Sequence, residues 1–580
     1  MEKHEKIAII GSVLVLVVML GLGALALMRY LAPSTETMSL EEYYKVPQGE
    51  ALIIMDDKLY SKNAKLLENE VYVDLETVQQ RLNKRFYWDE AEQILTLTTP
   101  DRIIRTMPGQ KLVRENGVDV PYTDVIFFLE NGVPYISLKF VAEFSDMRYE
   151  TYTASGAAQD VVQRVMITCT YGDYLYVNTN RRTQIRVEGN RKSAVLKELD
   201  EGETLMILDG GGTGQGSFYT VMSADGVRGY VDKKHLDEAF YQKVVSSYVP
   251  EKYESISMDE PVNMAWHYVE TMSANNKLGD MLANVKGLNV ISPTWFRLDG
   301  NEGEFLSIAS EEYVTKAHAL GLKVWALVKN FDTGTEVDSY QVLSRTSSRE
   351  RLAASLVREA VAYALDGINV DFELISLETG PHYVQFLREL SVLCRQAGLV
   401  LSVDNYVPTS YNKYYDYAEQ GVVVDYVVIM AYDEHTSVSG EAGSVASISY
   451  VEQAIADTVA MVPAEKVIVG IPFYTRLWKE TATEDGTAVS IAETPFMSAQ
   501  DKLLSDNDVT AVWDEATAQY YVEYEKDGAK YRMWLEEETS IAEKIKRVTG
   551  ANAAGVAAWR LGQEKKEIWD VIYECLNGAE

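Results

Sequence analysis

Cysteine is scarce in this chain of 580 residues: Cys169, Cys394 and Cys575 stand far apart and form no C-x-x-C or Cys/His metal pattern. The six histidines are equally dispersed, and no H-E-x-x-H, G-x-S-x-G or Walker lysine motif occurs. These absences argue against a disulfide framework, a zinc centre, a metalloprotease, a serine hydrolase and a P-loop nucleotidase. No metal and no cofactor is therefore predicted.

Positive charge is also in deficit, because 54 Lys and Arg residues face 87 Asp and Glu residues, for a formal net charge of −33. An acidic surface argues against nucleic acid and anionic lipid headgroups as partners. It is also a common means of keeping a protein soluble. The length exceeds what one hydrophobic core usually serves, so several domains are expected.

The N-terminus contains a run of 22 residues without charge, from 7 to 28. As a helix it would be about 33 Å long, enough to cross a hydrocarbon core of about 30 Å. Lys3 and Lys6 precede the run and Arg29 follows it, which favours a cytoplasmic tail at 1–6 and an exported remainder. We expect an uncleaved membrane anchor; the alternative is a signal peptide cleaved near Ala24-Leu25-Ala26.

Two small modules are predicted after a linker at 29–50. Residues 51–169 contain a doubled strand-helix-strand unit, ENEVYVDL at 68–75 and ENGVPYISL at 130–138, typical of a small α+β domain. The unit resembles the N-terminal domain of copper amine oxidases, which implies no copper site here. Residues 170–240 are short strands with glycine turns, and the ending DGVRGYV at 225–231 resembles a bacterial SH3-like barrel. Such a barrel implies either peptidoglycan binding or a spacer. The glycine-rich run at 210–216 joins strand to strand, so we interpret it as a hairpin loop and not a phosphate site.

A linker at 241–260 leads into about 320 residues of alternating strands and helices, at 261–578. That length and alternation predict an α/β fold, a (β/α)₈ TIM barrel. Eight strands are predicted, at 263–268, 288–295, 323–330, 367–373, 400–405, 426–432, 467–474 and 555–559. An insertion rich in Tyr and Trp, at 475–550, separates the last two strands. It is predicted either to form one wall of a substrate groove or to pack only.

The fourth predicted strand carries the sequence DGINVDFE at 366–373. Because side chains alternate along a strand, Asn369, Asp371 and Glu373 share one face, and the apolar residues between them share the other. The apolar row suits a helix-covered outer face, and the polar row suits the mouth of a barrel. Two neighbouring carboxylates cannot both ionise freely, so the pair suits general acid catalysis near neutral pH. Asp366, at the opposite parity, is interpreted as structural.

This octet resembles the signature of glycoside hydrolase family 18, the chitinases and endo-N-acetylglucosaminidases, usually written D-x-x-D-x-D-x-E. Asn369 stands where many chitinases carry the middle Asp. The form DGxNxDFE resembles the branch that includes spore germination and cortex-lytic glucosaminidases. MAYDEH at 430–435 resembles the family's M-x-Y-D motif, and GIPFY at 470–474 again resembles that branch.

The resemblance implies a role for each matched residue. Glu373 is the expected proton donor, Asp371 stabilises the acetamido group of the substrate, and Tyr432 aligns its carbonyl oxygen; Asn369 is expected to orient Asp371 by a hydrogen bond. The remaining expected substrate-binding residues are Met430, Asp433, Trp559 and Trp266.

The predicted protein is a membrane-anchored extracytoplasmic enzyme that cleaves β-linked N-acetylglucosamine glycans, peptidoglycan above all, by a retaining substrate-assisted mechanism. One alternative is hydrolysis of chitin or of N-glycan cores. Another is a carbohydrate-binding wall protein without activity, against which the retained Glu373 argues. The expected partners are the polysaccharide and, through the N-terminal helix, the membrane.

Overall fold

A computed structural model describes residues 2–153, 162–208, 216–331, 337–484 and 486–578. The chain begins with one long helix, Glu2–Leu31, which contains the predicted span and has no buried side chains in its apolar window. It is long and apolar enough to cross a membrane. A short helix, Leu40–Tyr44, follows and is capped by the side chain of Ser39.

The chain divides into two compact units, residues 1–86, 106–113 and 119–250 in the first, and 87–105, 114–118 and 251–580 in the second. The first unit contains the predicted repeat. Strands Glu70–Asp74 and Val133–Ser137 pair antiparallel, and each leads directly into a helix, at Leu75–Thr77 and Leu138–Glu143. Asp74 and Ser137 cap those helices, so the same local chemistry ends both strands.

The repeat is built on a mixed seven-stranded sheet, and a π-helical turn, Val78–Leu82, continues its first helix. In spatial order the strands are Arg148–Thr153, Val162–Thr168, Glu50–Met55, Lys58–Leu67, Glu70–Asp74, Val133–Ser137 and Phe127–Glu130.

A second seven-stranded sheet of the first unit is antiparallel and forms the predicted small β domain; its resemblance to SH3-like barrels stays a prediction. In spatial order its strands are Val195–Leu199, Thr183–Arg186, Arg228–Asp232, Phe218–Ser223, Thr204–Ile207, Gly172–Asn178 and Phe240–Val244, with a 3₁₀ turn at Lys233–His235. The glycine-rich run lies outside the described residues except for Gly216. The strands on its two sides pair antiparallel, Met206 with Met222, as a strand-to-strand connection requires.

The second unit is built on a closed barrel of eight parallel strands, which confirms the predicted fold class. In chain order the strands are β1 Val262–His267, β2 Val290–Pro293, β3 Lys323–Lys329, β4 Gly367–Asp371, β5 Val400–Tyr406, β6 Tyr426–Met430, β7 Val467–Pro472 and β8 Gly555–Trp559. β8 pairs with both β7 and β1, which closes the barrel. Ile368, Val370 and Phe372 point outward into the apolar core, where the Phe372 ring stacks on Phe386 at 5.6 Å between centroids.

Helices cover this barrel, and two further β elements extend it. The α-helices are Leu278–Met281, Glu311–Ala319, Ser339–Ser344, Thr346–Ala362, Gly380–Ala397, Tyr417–Val423, Ile448–Val459, Gln500–Asp506, Glu538–Gly550 and Ile568–Asn577. Short 3₁₀ turns lie at Met272–Lys277, Lys413–Tyr415, Ala464–Lys466 and Met497–Ala499. A hairpin, Phe296–Leu298 with Phe305–Ser307, follows β2. The predicted insertion between β7 and β8 contains a five-stranded antiparallel sheet of Leu477–Thr483, Gly486–Glu493, Val512–Asp514, Gln519–Lys526 and Ala529–Trp534.

The second unit also includes part of the region predicted as a separate domain at 51–169. The whole region contains strands Phe86–Asp89, Ile94–Thr98, Ile103–Thr106, Leu112–Glu115 and Val118–Pro121. Its residues 87–105 and 114–118 group with the barrel. Polar contacts hold them there: Asp89 Oδ2 accepts from the Thr346 backbone N–H at 2.5 Å, and Arg105 pairs with buried Glu389 at 3.0 Å. These residues thus pack with the barrel, and the predicted domain boundaries stay a prediction.

Candidate active site

A cavity of about 840 Å³ opens at the carboxyl ends of the barrel strands, the end at which TIM-barrel enzymes carry their active sites. Seven of the eight predicted site residues line it: Trp266, Asp371, Glu373, Met430, Tyr432, Asp433 and Trp559. They come from β1, β4, β6 and β8 or from the residues just after these strands, so the barrel brings together side chains that are almost 300 positions apart.

Glu373 lies two residues beyond the end of β4 and is fixed through its backbone and its side chain. The Asn330 amide accepts from the Glu373 N–H at 2.9 Å and donates to the Glu373 carbonyl at 2.8 Å. The Tyr406 hydroxyl donates to Glu373 Oε2 at 2.5 Å. Burial raises the pKa of Glu373, the hydrogen bond from Tyr406 opposes the rise, and the charge of Asp433 adds to it. A raised pKa keeps the proton that a general acid needs near neutral pH.

Asp371, the last residue of β4, is 8% exposed and faces the cavity. Its Oδ1 atom is buried and has no hydrogen-bond partner within the described part of the chain. Burial raises the pKa of Asp371 well above its usual range, and the charges of Asp404 and Glu373 add to the rise. An unpartnered buried carboxyl oxygen at a cavity surface is ready to take a donor from a ligand.

Asn369 does not line the cavity, because it is fully buried beneath it. Its Nδ2 atom donates to Ser402 Oγ at 3.0 Å and to Asp404 Oδ1 at 2.7 Å. Trp266 Nε1 and Ser292 Oγ donate to its Oδ1 atom, each at 3.1 Å. These bonds fix Asn369 against β1, β2 and β5 and direct its amide N–H groups to Ser402 and Asp404. The expectations that Asn369 binds substrate and orients Asp371 stay predictions.

The residues after β6 form the opposite side of the cavity. Met430 ends the strand, Tyr432 is packed between the two apolar cores, and Asp433 has a left-handed backbone with φ of 61°. The Asp433 carboxylate accepts from Arg476 Nη2 at 2.7 Å and from the Tyr474 hydroxyl. These bonds hold the Asp433 carboxylate at the strand's lip.

Two tryptophans form an aromatic floor at the seam between the first and last strands. Trp266 on β1 is 1% exposed, and its ring lies edge-on to that of Trp559, which ends β8, with centroids 5.8 Å apart. Such apolar faces suit the flat carbon-rich side of a sugar ring.

Sequence reasoning missed Asp404 and Tyr406, which both line the cavity from β5. The signal was present, because LSVD at 401–404 alternates apolar and polar residues as INVD at 368–371 does. Of the two alternatives for the insertion, packing is the one that fits: apart from Tyr474 just before it, none of the cavity-lining residues among those described comes from 475–550. Arg476, one of its first residues, donates to the Asp433 carboxylate.

Comparison with known proteins agrees with this geometry. Residues 296–564 match the family Glycosyl hydrolases family 18, and residues 54–156 match the copper amine oxidase N-terminal domain. Residues 296–564 are a glycoside hydrolase family 18 domain. The protein is therefore a glycosidase with a domain of this family, whose members act on polysaccharides that contain N-acetylglucosamine.

Individual relatives match between two fifths and one half of this chain. The uncharacterized glycosylase YvbX of Bacillus subtilis (strain 168) is 27% identical over 296 residues, covering 49% of this chain and 84% of that protein. The cortical fragment-lytic enzyme of the same organism is 27% identical over 245 residues, covering 41% of this chain and 56% of that protein. A crystal structure of a chitinase from Chromobacterium violaceum superposes with a TM-score of 0.49 at 22% identity, over 55% of this chain and 99% of that one.

Proposed function

We propose that this family 18 enzyme is a membrane-anchored glucosaminidase that cleaves β-linked N-acetylglucosamine glycans of peptidoglycan outside the cell. The observation that carries the proposal is the pairing of Glu373, a buried acid held by Tyr406, with Asp371, whose Oδ1 atom has no partner among the described residues. The first supplies a proton, and the second offers an acceptor to an amide N–H of the sugar.

In the proposed mechanism the acetamido group of the substrate is the nucleophile. Glu373 gives its proton to the glycosidic oxygen, the bond from that oxygen to the anomeric carbon breaks, and the acetamido oxygen bonds to the same carbon. The ring that forms is a cationic oxazolinium. Glu373, now a carboxylate, then removes a proton from water, which opens the ring and restores the β configuration.

The other cavity residues would hold the acetamido group for this attack. Asp371 accepts its N–H and stabilises the positive charge, and Tyr432 aligns its carbonyl oxygen. Alignment of this type contributes several kcal/mol through effective concentration. Trp559 and Trp266 form the floor beneath the sugar ring, and Asp433 binds the substrate at the cavity's edge.

Peptidoglycan is favoured over chitin by two observations. One relative is named for lysis of cortical fragments. The second is the exposed apolar helix at the N-terminus, which suits an enzyme that is exported and kept at the cell surface.

The test is digestion of peptidoglycan, spore cortex and chitin oligomers by the full-length protein in detergent, with mass analysis of the products. We expect muropeptides cleaved at N-acetylglucosamine, β products in proton NMR spectra taken at once, and strong inhibition by a thiazoline analogue of the oxazolinium. Inverted products or a glycosyl ester on Asp371 would contradict the mechanism. Cleavage of chitin oligomers alone would contradict the substrate.

Anchoring has its own test. The full-length protein with an N-terminal tag should fractionate with membranes and keep the tag, because residues 7–28 are long enough to span the hydrocarbon core. A soluble mature form that begins near Leu27 would instead establish a cleaved signal peptide.

A further inference from the structure

Asp404 places a third buried carboxylate beside the proposed catalytic acids. β4 and β5 run parallel with Asn369 opposite Ser402, so the next inward-facing residues of β5 are 404 and 406. Asp404 is 2% exposed and lines the cavity. The two strands thus present matching inner rows, 369, 371 and 373 on β4 and 402, 404 and 406 on β5.

The hydrogen bonds at position 369 lead to this carboxylate. Asn369 has an amide where the family signature has its middle Asp, and its Nδ2 atom donates to Asp404 Oδ1 at 2.7 Å. Trp266 Nε1 donates to Asp404 Oδ2 at 3.2 Å. Position 369 thus has no carboxylate of its own, but it is hydrogen-bonded to the carboxylate of Asp404 on the neighbouring strand.

The surroundings of Asp404 and Asp371 differ in one respect. Both are buried, yet Asp404 has a neutral N–H donor at each oxygen, whereas Asp371 Oδ1 has none among the described residues. Burial and the charge of Glu373 raise the pKa of Asp404, and these two hydrogen bonds act against the rise. Donors favour the ionised form, so Asp404 is the better site for a negative charge in the empty cavity.

Neighbouring titratable groups act on the same pair. Tyr432 and Tyr383 feel the charges of both carboxyl groups, and Lys329 lowers the pKa of Asp371. Two acids this close titrate as a pair and not as independent groups.

We propose that Asp404 is a positioning residue that acts through Asp371, and that the two carboxyl groups hold one proton between them. In the empty cavity the proton is on Asp371. When the acetamido N–H donates to Asp371 and positive charge develops on the sugar, Asp371 loses this proton and Asp404 takes it, so the total charge of the pair is unchanged. The inference rests on the proposed function, because the acetamido group supplies the donor.

The test compares pH profiles of full-length variants on an N-acetylglucosamine oligomer. Asp404→Asn removes the proton acceptor and one negative charge. It should lower kcat about tenfold, a coupling typical of residues in one hydrogen-bond network, with little change in KM. It should also move the basic limb of the kcat/KM profile to lower pH, because the pKa of Asp371 and that of Glu373 both fall.

Two further variants separate charge from structure. Asn369→Asp/Asp404→Asn returns the carboxylate to β4 and reverses the same hydrogen bond, so kcat and the basic limb should return toward wild type. Asn369→Asp alone adds an acid and should move the limb to higher pH. Asp366→Asn is the matched control, because that carboxylate bonds His318 and Lys323 at the start of β4, away from the cavity, and its loss should leave the limb unchanged.

The inference is overturned if Asp404→Asn keeps the wild-type kcat and basic limb, or if a folded Asn369→Asp/Asp404→Asn variant is no more active than the single variant. Failure of the proposed function is a separate outcome, since wild type itself would then leave both peptidoglycan and the N-acetylglucosamine oligomer uncleaved, or would cleave the oligomer alone. Infrared difference spectra between about pH 5 and pH 9 give a readout without turnover. Besides the band of Glu373, wild type should show a second protonated carboxyl band that Asp404→Asn loses, and spectra with the same bands in both proteins would overturn the shared proton.

Discussion

Glu373 is fixed more firmly than its place in a loop suggests, because Asn330 bonds both of its backbone polar groups and Tyr406 bonds its carboxyl oxygen. Replacing Glu373 with Gln keeps these positions but removes the transferable proton. General acid catalysis contributes roughly 10²- to 10⁴-fold, so turnover should fall by that factor while glycan binding persists. Initial rates and equilibrium binding of an oligomer measure the two effects. Glu378→Gln, on the exposed part of the same loop, is the control. Equal turnover by Glu373→Gln and wild type would show that Glu373 is not the proton donor.

The hydroxyl group of Tyr406 influences the pKa of Glu373, so its removal tests the pH dependence of activity. Its hydrogen bond stabilises the Glu373 carboxylate and so lowers a pKa that burial has raised. Tyr406→Phe should raise the pKa of Glu373 further. Because Glu373 must be protonated to start the reaction, the basic limb of the kcat/KM profile should move to higher pH, while the maximal rate falls through poorer orientation. Tyr411→Phe, at a side chain 88% exposed, should change neither quantity. A basic limb that moves to lower pH in Tyr406→Phe would contradict the claim that this hydrogen bond lowers the pKa of Glu373.

The inner row of β4 could be predicted from alternation alone, and Asp371 and Glu373 line the cavity as expected. The hydrogen-bond partners of Asn369 could not be predicted in this way, because they depend on the register between β4 and β5. That register is not visible in the sequence of either strand alone. Parity on β5 marked Asp404 and Tyr406 equally well. Their place beside Asp371 and Glu373 follows only from the strand register, in which Asn369 pairs with Ser402.

At the scale of elements, all eight predicted barrel strands are present, and the differences that concern the site lie at their carboxyl ends. β4 ends at Asp371 and β6 at Met430, two residues earlier than the alternation predicts. The chain leaves the ladder there, and the residues beyond, Glu373 and Tyr432, line the cavity. Alternation continues after hydrogen bonding stops, so a sequence pattern overestimates strand length where the site begins.

The helix Thr346–Ala362 contains a fully buried cation, Arg349, which no sequence pattern indicated. Its guanidinium donates to the Leu343 carbonyl at 2.6 Å and to the Tyr87 hydroxyl at 3.1 Å, and it pairs with buried Glu389 at 3.3 Å. Breaking a buried pair from one side leaves an uncompensated charge and costs about 3–5 kcal/mol.

Arg349→Ala should therefore lower the free energy of unfolding by about that amount, measured by urea denaturation, with unchanged activity per folded molecule. Arg351→Ala is the matched control on the same helix, because its pairs with Glu302 and Glu304 are exposed and worth about 1 kcal/mol at most. Equal losses from the two variants would show that the buried contacts add nothing to stability.

At the scale of the whole molecule, the catalytic unit is discontinuous in sequence. Residues 87–105 and 114–118 group with 251–580, although repeat patterns assign them to a domain at 51–169. Sequence periodicity identifies the repeat and the barrel as two separate patterns. It does not show which buried polar groups of one segment are hydrogen-bonded by another segment. Here those groups are Arg349 and Glu389, and their partners are Tyr87 and Arg105.

The fragment 251–580 should consequently be unstable alone, although it contains every proposed site residue. Without residues 87–105, Arg349 loses the Tyr87 hydroxyl, Glu389 loses Arg105, and the Thr346 N–H and the Arg395 guanidinium lose Asp89 and the Pro100 carbonyl. Buried polar groups left without partners cost about 1–3 kcal/mol each, a large part of a domain's net stability of about 5–15 kcal/mol. Thermal unfolding and solubility of the fragment should both fall well below those of the full chain, and co-expression of residues 32–250 as a separate chain should restore them. A fragment that unfolds at the same temperature as the full chain, with equal activity, would establish that the barrel is self-sufficient and that these contacts are only peripheral.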